Sequence, residues 1–361
     1  MSEQHWFRRE VLSLPAYVPG KEGMGPDVVK LASNETPFSA LPAVQAVVAA
    51  EAGSLNRYPD MFATGLISDI ARFHEWADDG IVVGNGSTSL IEQFLRAVVT
   101  PGGEVVLPWR SFEAYPIAIQ AAGGRQVPAP LRSGAHDLEG MLGAITSDTR
   151  AVLLCSPNNP TGVALAHTEL SEFLAQVPER VPVLLDEAYI DFLLTRKGER
   201  LDVRALPNVL LLRSLTKTYH LSGARIGYVL AGEGWIRRLG SRQPTWSVNA
   251  FAQALALAFM EDEGFLARLR THYAEETPRL VRAVEAAGFR VRPSCVHYFL
   301  METEDDEALI RGLMERGIVV RHTRNFPGIE GRCVRIATRT CQEDRRLAGA
   351  LRELRERGVC R

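Results

Sequence analysis

The middle of the chain carries continuous apolar runs rather than alternating ones. IVVG (81–84), EVVLP (104–108), AVLLCSP (151–157), VPVLLDEAY (181–189), VLLLRSL (209–215) and RIGYVLA (225–231) are apolar over most of their length. Strands covered on both faces read this way, so the pattern predicts a mainly parallel sheet. Helical patterns lie between several of these runs. Residues 42–52 predict one helix, and GNGSTSLIEQFLRAV (84–98) passes from small residues straight into another, amphipathic one. Strands alternating with helices give an α/β domain with helices on both faces of its sheet. After residue 249 the pattern changes. Residues 250–287 are strongly helical, VHYFLME (296–302) and CVRIATR (333–339) predict strands, and residues 305–316 and 342–357 predict helices. This second pattern is that of a smaller α+β domain. The expected division is a large domain at 37–249, with an irregular N-terminal segment, 1–36, joining 250–361 in the small one.

Composition narrows the function classes. Of 361 residues, 46% are hydrophobic and 23% charged, as in ordinary soluble enzymes. The net charge of −2 gives no general attraction to nucleic acid or an anionic membrane. MSEQHWFRRE lacks the apolar core of a signal peptide, and no apolar run approaches the ~20 residues a membrane span needs. Cys155, Cys295, Cys333, Cys341 and Cys360 form no CxxC pair and no metal-like cluster. An odd, scattered set fits a reducing compartment, so a cytoplasmic protein is expected, without a metal.

Polar motifs collect at the ends of the central runs, where open α/β sheets take their ligands. GNGSTS (84–89) is either a phosphate-attracting helix N-terminus or a glycine turn with a Ser/Thr cap. Asp186 follows a strand directly and is either a cap or a functional acid. SPNNPTG (156–162) is a polar turn whose asparagines can donate to a ligand oxygen. Lys217 lies between two apolar runs, where a lysine is either solvated or partnered. Ser214, Thr216 and Arg225 can offer hydroxyls and a cation to the same anion that the Gly86–Thr88 turn attracts. A lysine beside cations has a lowered pKa and can bond covalently to an aldehyde. A carboxylate such as Asp186 would keep a ring nitrogen protonated. Together these parts outline one cofactor, pyridoxal phosphate.

The ordered set GNGS, an aromatic loop, PNNPTG, DEAY, S-x-T-K and G-x-R-x-G resembles the fold-type-I pyridoxal phosphate enzymes across nearly the whole chain. Within them it is similar to the histidinol-phosphate aminotransferase family, through LPAYVPGK, LASNETP, NRYPD and GIVVRHTRNFPGIEGRCVRIATR. The resemblance implies an aspartate aminotransferase-like fold and a role in amino acid biosynthesis. It implies Lys217 as the residue that bonds to the cofactor and moves the proton, and Asp186 on the pyridine nitrogen. Asn159 and Tyr189 would hold the ring hydroxyl, and Phe112 would stack on the ring. Gly86, Ser87, Thr88, Ser214 and Arg225 would hold the phosphate. Tyr58 would reach the phosphate of a neighbouring subunit, which implies a homodimer. Arg335 would pair with the substrate carboxylate, and Tyr17 and Arg321 would face the substrate.

The implied reaction moves an amino group from a phosphorylated or aromatic amino compound to 2-oxoglutarate. QPTWSVNA (243–250) and RHTRNFPGI (321–329) also resemble threonine-phosphate decarboxylases, which keeps decarboxylation as the alternative. WRSFEAYP (109–116) resembles the branch that includes aromatic amino acid aminotransferases. His220 stands where the family has glycine, Ala224 replaces a usual leucine, and Val296, His297 and Tyr298 depart from the usual pattern. With Trp246, the histidines 220 and 297 are candidates for shaping an unusual pocket.

Overall fold

The computed structural model describes residues 6–15, 25, 27–38, 42–194, 201–326 and 328–358. Its strands in chain order are β1 Val29–Lys30, β2 Ile81–Gly84, β3 Glu104–Trp109, β4 Arg125–Arg132, β5 Ala135–His136, β6 Thr149–Cys155 and β7 Val183–Asp186. They continue with β8 Val209–Arg213, β9 Gly227–Leu230, β10 Tyr298–Glu302, β11 Ile318–Val319, β12 Arg321–His322 and β13 Cys333–Ala337.

Eight strands form one sheet in the order β2-β9-β8-β7-β6-β3-β4-β5. Its centre, β8-β7-β6-β3-β4, is parallel, while β9 runs antiparallel to both of its neighbours. The continuous runs are explained by burial: every residue of β6 except Arg150, and all of β7 and β8, is buried. One apolar cluster lies under the sheet around Val152, Leu185, Leu211 and Phe173, and another lies above it around Phe94, Leu107, Leu153 and Leu212. Helices therefore cover both faces.

A second sheet, β10-β13-β12, is antiparallel and packs with a third apolar cluster around Phe299, Ile336 and Leu351. The segment read as irregular contains β1, which pairs in parallel with β11. Leu31 then accepts from Ala337 and donates to Val319, so residues 28–36 are laced onto the small sheet on their way to the large one. The helix Ala250–Met260 and the first half of the helix Phe265–Ala286 contribute Ala252, Phe259, Leu269 and Tyr273 to the core under the large sheet. Leu280 and Val284, further along that second helix, belong to the small-sheet core. The helix Phe265–Ala286 thus contributes to both cores. β4 was not visible as an apolar run because RQVPAPLR alternates and holds two prolines.

Candidate active site

The C-terminal ends of β6, β7 and β8 open into a cavity of about 470 Å³. Asp186 ends β7, and Lys217 lies two residues into the four-residue helix Leu215–Thr218 that follows β8 by one residue. The turn is held by Thr216. Its hydroxyl donates to the Ile226 carbonyl at 2.9 Å and accepts from the Ile226 N–H at 3.1 Å. Thr216 is therefore spent on clamping the lysine turn to the approach to β9, and is not the anion ligand that its sequence position invited.

Lys217 is half-buried, and its Nζ donates to the Ser33 carbonyl at 3.3 Å. Burial, then the nearby Arg335 and Arg225, bring its pKa down to about 8 against the opposing pull of Glu35. The amine is thus available in its neutral, nucleophilic form near neutral pH.

Asp186 is 4% exposed, and burial raises its pKa to about 6. Tyr115 donates to one carboxylate oxygen at 2.7 Å and the Ala188 N–H to the other at 3.0 Å. Both donors are neutral. The neighbouring cation Arg213 is committed to Glu187 at 2.7 Å. A buried carboxylate whose charge is penalised in this way is built to receive a cation from a ligand.

The helix Gly86–Val98 begins at the cavity with no side-chain cap from Asn85. The expected alternative, a capped turn, is not what forms. Gly86 has φ +78°, and a Cβ there would stand 2.8 Å from the Arg225 guanidinium. Gly227 is packed still harder, since a Cβ would lie 2.7 Å from the Ser87 backbone nitrogen. Two glycines thus bring an uncapped helix N-terminus, Ser87 and Thr88 against an arginine, the arrangement that binds phosphate. Ser214 and Arg225 line the same cavity.

Arg335 and Arg321 face each other on the antiparallel pair β13 and β12. Arg335 is 5% exposed. It donates to the Asn159 side-chain oxygen and, at 2.6 Å, to the Ala32 carbonyl. Its Nε–H is buried without a partner among the described residues. Tyr189, whose hydroxyl accepts from Asn34 at 3.1 Å, borders the cavity beside Asn159 and is raised to about 12 by burial. Phe112 also borders it, edge-on to Tyr115.

The remaining expected residues differ in their placement, and Arg321 borders the cavity. It is 2% exposed there and paired with Glu113. Tyr58 is 78% exposed, away from its own chain's cavity, and stacks on Trp246 at 4.3 Å between ring centroids. Tyr17 lies outside the described residues. His220 adopts φ +57°, the left-handed region that the family's glycine would take freely, and packs among Phe38, Phe259 and Phe265. His297 is fully buried against Phe192 and Tyr273, and burial keeps it neutral by lowering its pKa to about 3.

Four contributors escaped the sequence reading: Tyr115, Asn34, Glu113 and Asn325. Tyr115 and Glu113 lie in the SFEAY stretch, where the signal is one of helix-like spacing around Phe112. Asn34 has φ +51°, a conformation that asparagine tolerates well.

The profile of the family described as aminotransferase class I and II matches residues 26–351. The aromatic amino acid aminotransferase of Thermobifida fusca (strain YX) is 38% identical over 89% of this chain and 91% of its own length. This chain belongs to the aminotransferase class I and II family. It is a pyridoxal phosphate-dependent aminotransferase. The crystal structure of histidinol-phosphate aminotransferase from Sinorhizobium meliloti, solved with pyridoxal-5'-phosphate, is similar with a TM-score of 0.87 and 27% identity over 97% of this chain and 98% of that one. L-threonine-O-3-phosphate decarboxylase from Porphyromonas gingivalis shares the fold, with a TM-score of 0.80 and 23% identity over 91% of this chain and all of that one.

The residues present fit the cofactor. Lys217 would supply an amine for its aldehyde, Asp186 a carboxylate for its ring nitrogen, and the Gly86–Thr88 turn with Arg225 a seat for its phosphate. When bound, the cofactor withdraws electrons from the substrate's amino carbon and carries the amino group between substrates. Lys217 would take and return the proton at that carbon. Asp186 would hold a proton on the ring, and Arg335 with Tyr189 would orient the substrate.

Proposed function

We propose that this aminotransferase moves the amino group of an aromatic amino acid to 2-oxoglutarate. The observation that carries the reading is Arg335, which lines the same cavity as Lys217 and is held by the neutral oxygens of Asn159 and Ala32 rather than by a carboxylate. A guanidinium donates to a carboxylate oxygen, and a held carboxylate keeps the Cα–H bond within reach of the amine. Phe112, Ile117 and Val319 line the same cavity and offer apolar contact to a ring. The relative from Thermobifida fusca carries this activity in its name. Mixing the holoenzyme with phenylalanine alone tests the reading. One phenylpyruvate per active site, with no carbon dioxide, is expected. Carbon dioxide release without any 2-oxoglutarate requirement would replace it with the decarboxylase reading.

Arg335→Lys keeps the charge and loses the planar fork. A lost charge-assisted hydrogen bond of about 1.5–3 kcal/mol corresponds to a rise in KM of roughly ten- to a hundredfold for both donor and acceptor. If Arg335 only braced the small sheet, stability would fall and both KM values would stay.

A homodimer in the cytoplasm is part of this proposal. Among the described residues, no helix is long and apolar enough to cross a membrane. Leu55, Tyr58 and Phe62 lie on one exposed turn, at 61, 78 and 67% exposure. So much exposed apolar surface beside the Tyr58–Trp246 stack is the kind that a second copy covers. Sedimentation at assay concentration should give a dimer, and Tyr58→Ala should weaken cofactor retention. A fully active monomer would contradict both.

A further inference from the structure

Glu113 stands in the wall of the substrate cavity as a carboxylate the protein supplies to itself. It is 8% exposed and paired with Arg321, which is 2% exposed. Its second oxygen accepts from the Asn325 amide at 2.7 Å. Glu113, Arg321 and Arg335 all line the one cavity. Arg321 lies opposite Arg335 in the register of the two strands, so both arginines reach the cavity from neighbouring positions. Arg335 is held instead by the neutral oxygens of Asn159 and Ala32.

Charge decides what such a wall accepts. A ligand with one carboxylate meets Arg335 and then a neutral pair flanked by Phe112, Ile117 and Val319. A ligand with a second carboxylate, or with a phosphate, brings its second charge up to Glu113. It must then displace a buried carboxylate from its arginine or lie beside it, and like charges so placed repel. Resting on the proposed function, we infer that Glu113 is a specificity-determining residue. By occupying Arg321 from within, it turns the cavity toward amino donors with uncharged, aromatic side chains and against phosphorylated or dicarboxylic ones. It works by repulsion and by pre-emption of a cation, the element that discrimination between related substrates needs beside attraction. The same argument sets the distal carboxylate of 2-oxoglutarate against Glu113, so the acceptor binds against the same opposition.

The test compares two inert carboxylates on the holoenzyme by spectral titration: 3-phenylpropanoate, with one charge, and glutarate, with two. In the unaltered enzyme 3-phenylpropanoate should bind more tightly. Glu113→Gln removes the charge and keeps the shape, and the affinity ratio should move toward glutarate by about tenfold or more. The kcat/KM ratio of glutamate to phenylalanine should move the same way. Breaking a buried pair can destabilise the fold. Glu113→Gln combined with Arg321→Met leaves no charge unpaired, and this double variant should lose the gain for glutarate. A ratio unmoved in Glu113→Gln, an equal gain in the double variant, or glutarate binding the unaltered enzyme as tightly as 3-phenylpropanoate would overturn the inference. Failure to turn over phenylalanine would instead defeat the proposed function, and the two inhibitor affinities would still read the charge effect.

Discussion

Lys217→Ala should abolish turnover and leave the cofactor bound. The loss expected from proton transfer alone is about 10²–10⁴-fold, and the missing covalent attachment adds to it. The alanine protein should keep the cofactor because the phosphate seat, the uncapped helix from Gly86 with Arg225, does not involve the lysine. It should also fold normally, because Thr216 holds the turn through Ile226 whatever stands at 217. The pH profile follows from the lowered pKa. With a value of about 8, half of the amine is neutral at pH 8. At the usual lysine value near 10.4 the neutral fraction there would be about a hundredfold smaller. In the cofactor-free protein, labelling of Lys217 by an amine reagent should rise with pH and level off above about 8. A profile still rising beyond pH 10 would mean that the surrounding charges do not act on it.

Asp186→Asn should lower kcat by about 10²–10³-fold, equivalent to roughly 2.7–4 kcal/mol, by analogy with removal of other preorganised electrostatic groups. Size is kept, but the charge that would hold the ring proton is gone. The effect on stability should have the other sign. Burial raises this carboxyl to about 6 in the cofactor-free protein. Between the unfolded value near 3.9 and about 6, the folded state holds the extra proton, so stability from this group falls as pH rises through that window. Above pH 6 the ionised Asp186 is a burden on the empty fold, which a cationic ligand relieves. The melting temperature of cofactor-free Asp186→Asn at pH 8 should therefore not fall below that of the unaltered protein. Lost activity with a lowered melting temperature would point to a bracing role through Tyr115 and Ala188, and near-normal activity would remove the ring-nitrogen role.

The large sheet was legible because burial on both faces leaves unbroken apolar runs, as in β6, β7 and β8. β4 was hidden because a strand near the sheet's edge alternates and tolerates proline. β1 was hidden because two residues carry no period. Lys217, Asp186 and Arg225 stood out in the sequence because a charged residue beside an apolar run needs a reason. Tyr115 and Glu113 gave no such signal. An aromatic and an acid in a helical stretch look like core and surface, and only the fold brings Tyr115 to Asp186 and Glu113 to Arg321, the latter 208 positions away. The difference between a glycine that packs and one that is merely flexible was likewise unreadable. Gly227 has no room for a Cβ, while Gly223 of the same motif has nothing within 4 Å.

The central claim is that Lys217 is the amine that holds the cofactor in the cavity below Arg335. The chain offers four lysines, Lys21, Lys30, Lys197 and Lys217, and Lys30 also borders the cavity. Reduction of the holoenzyme with borohydride, followed by digestion and mass mapping, distinguishes them. The account predicts one pyridoxyl group per chain, on the peptide carrying Lys217, and loss of activity in step with labelling. A label on Lys30 or on either of the other lysines, or full activity after reduction, would contradict it.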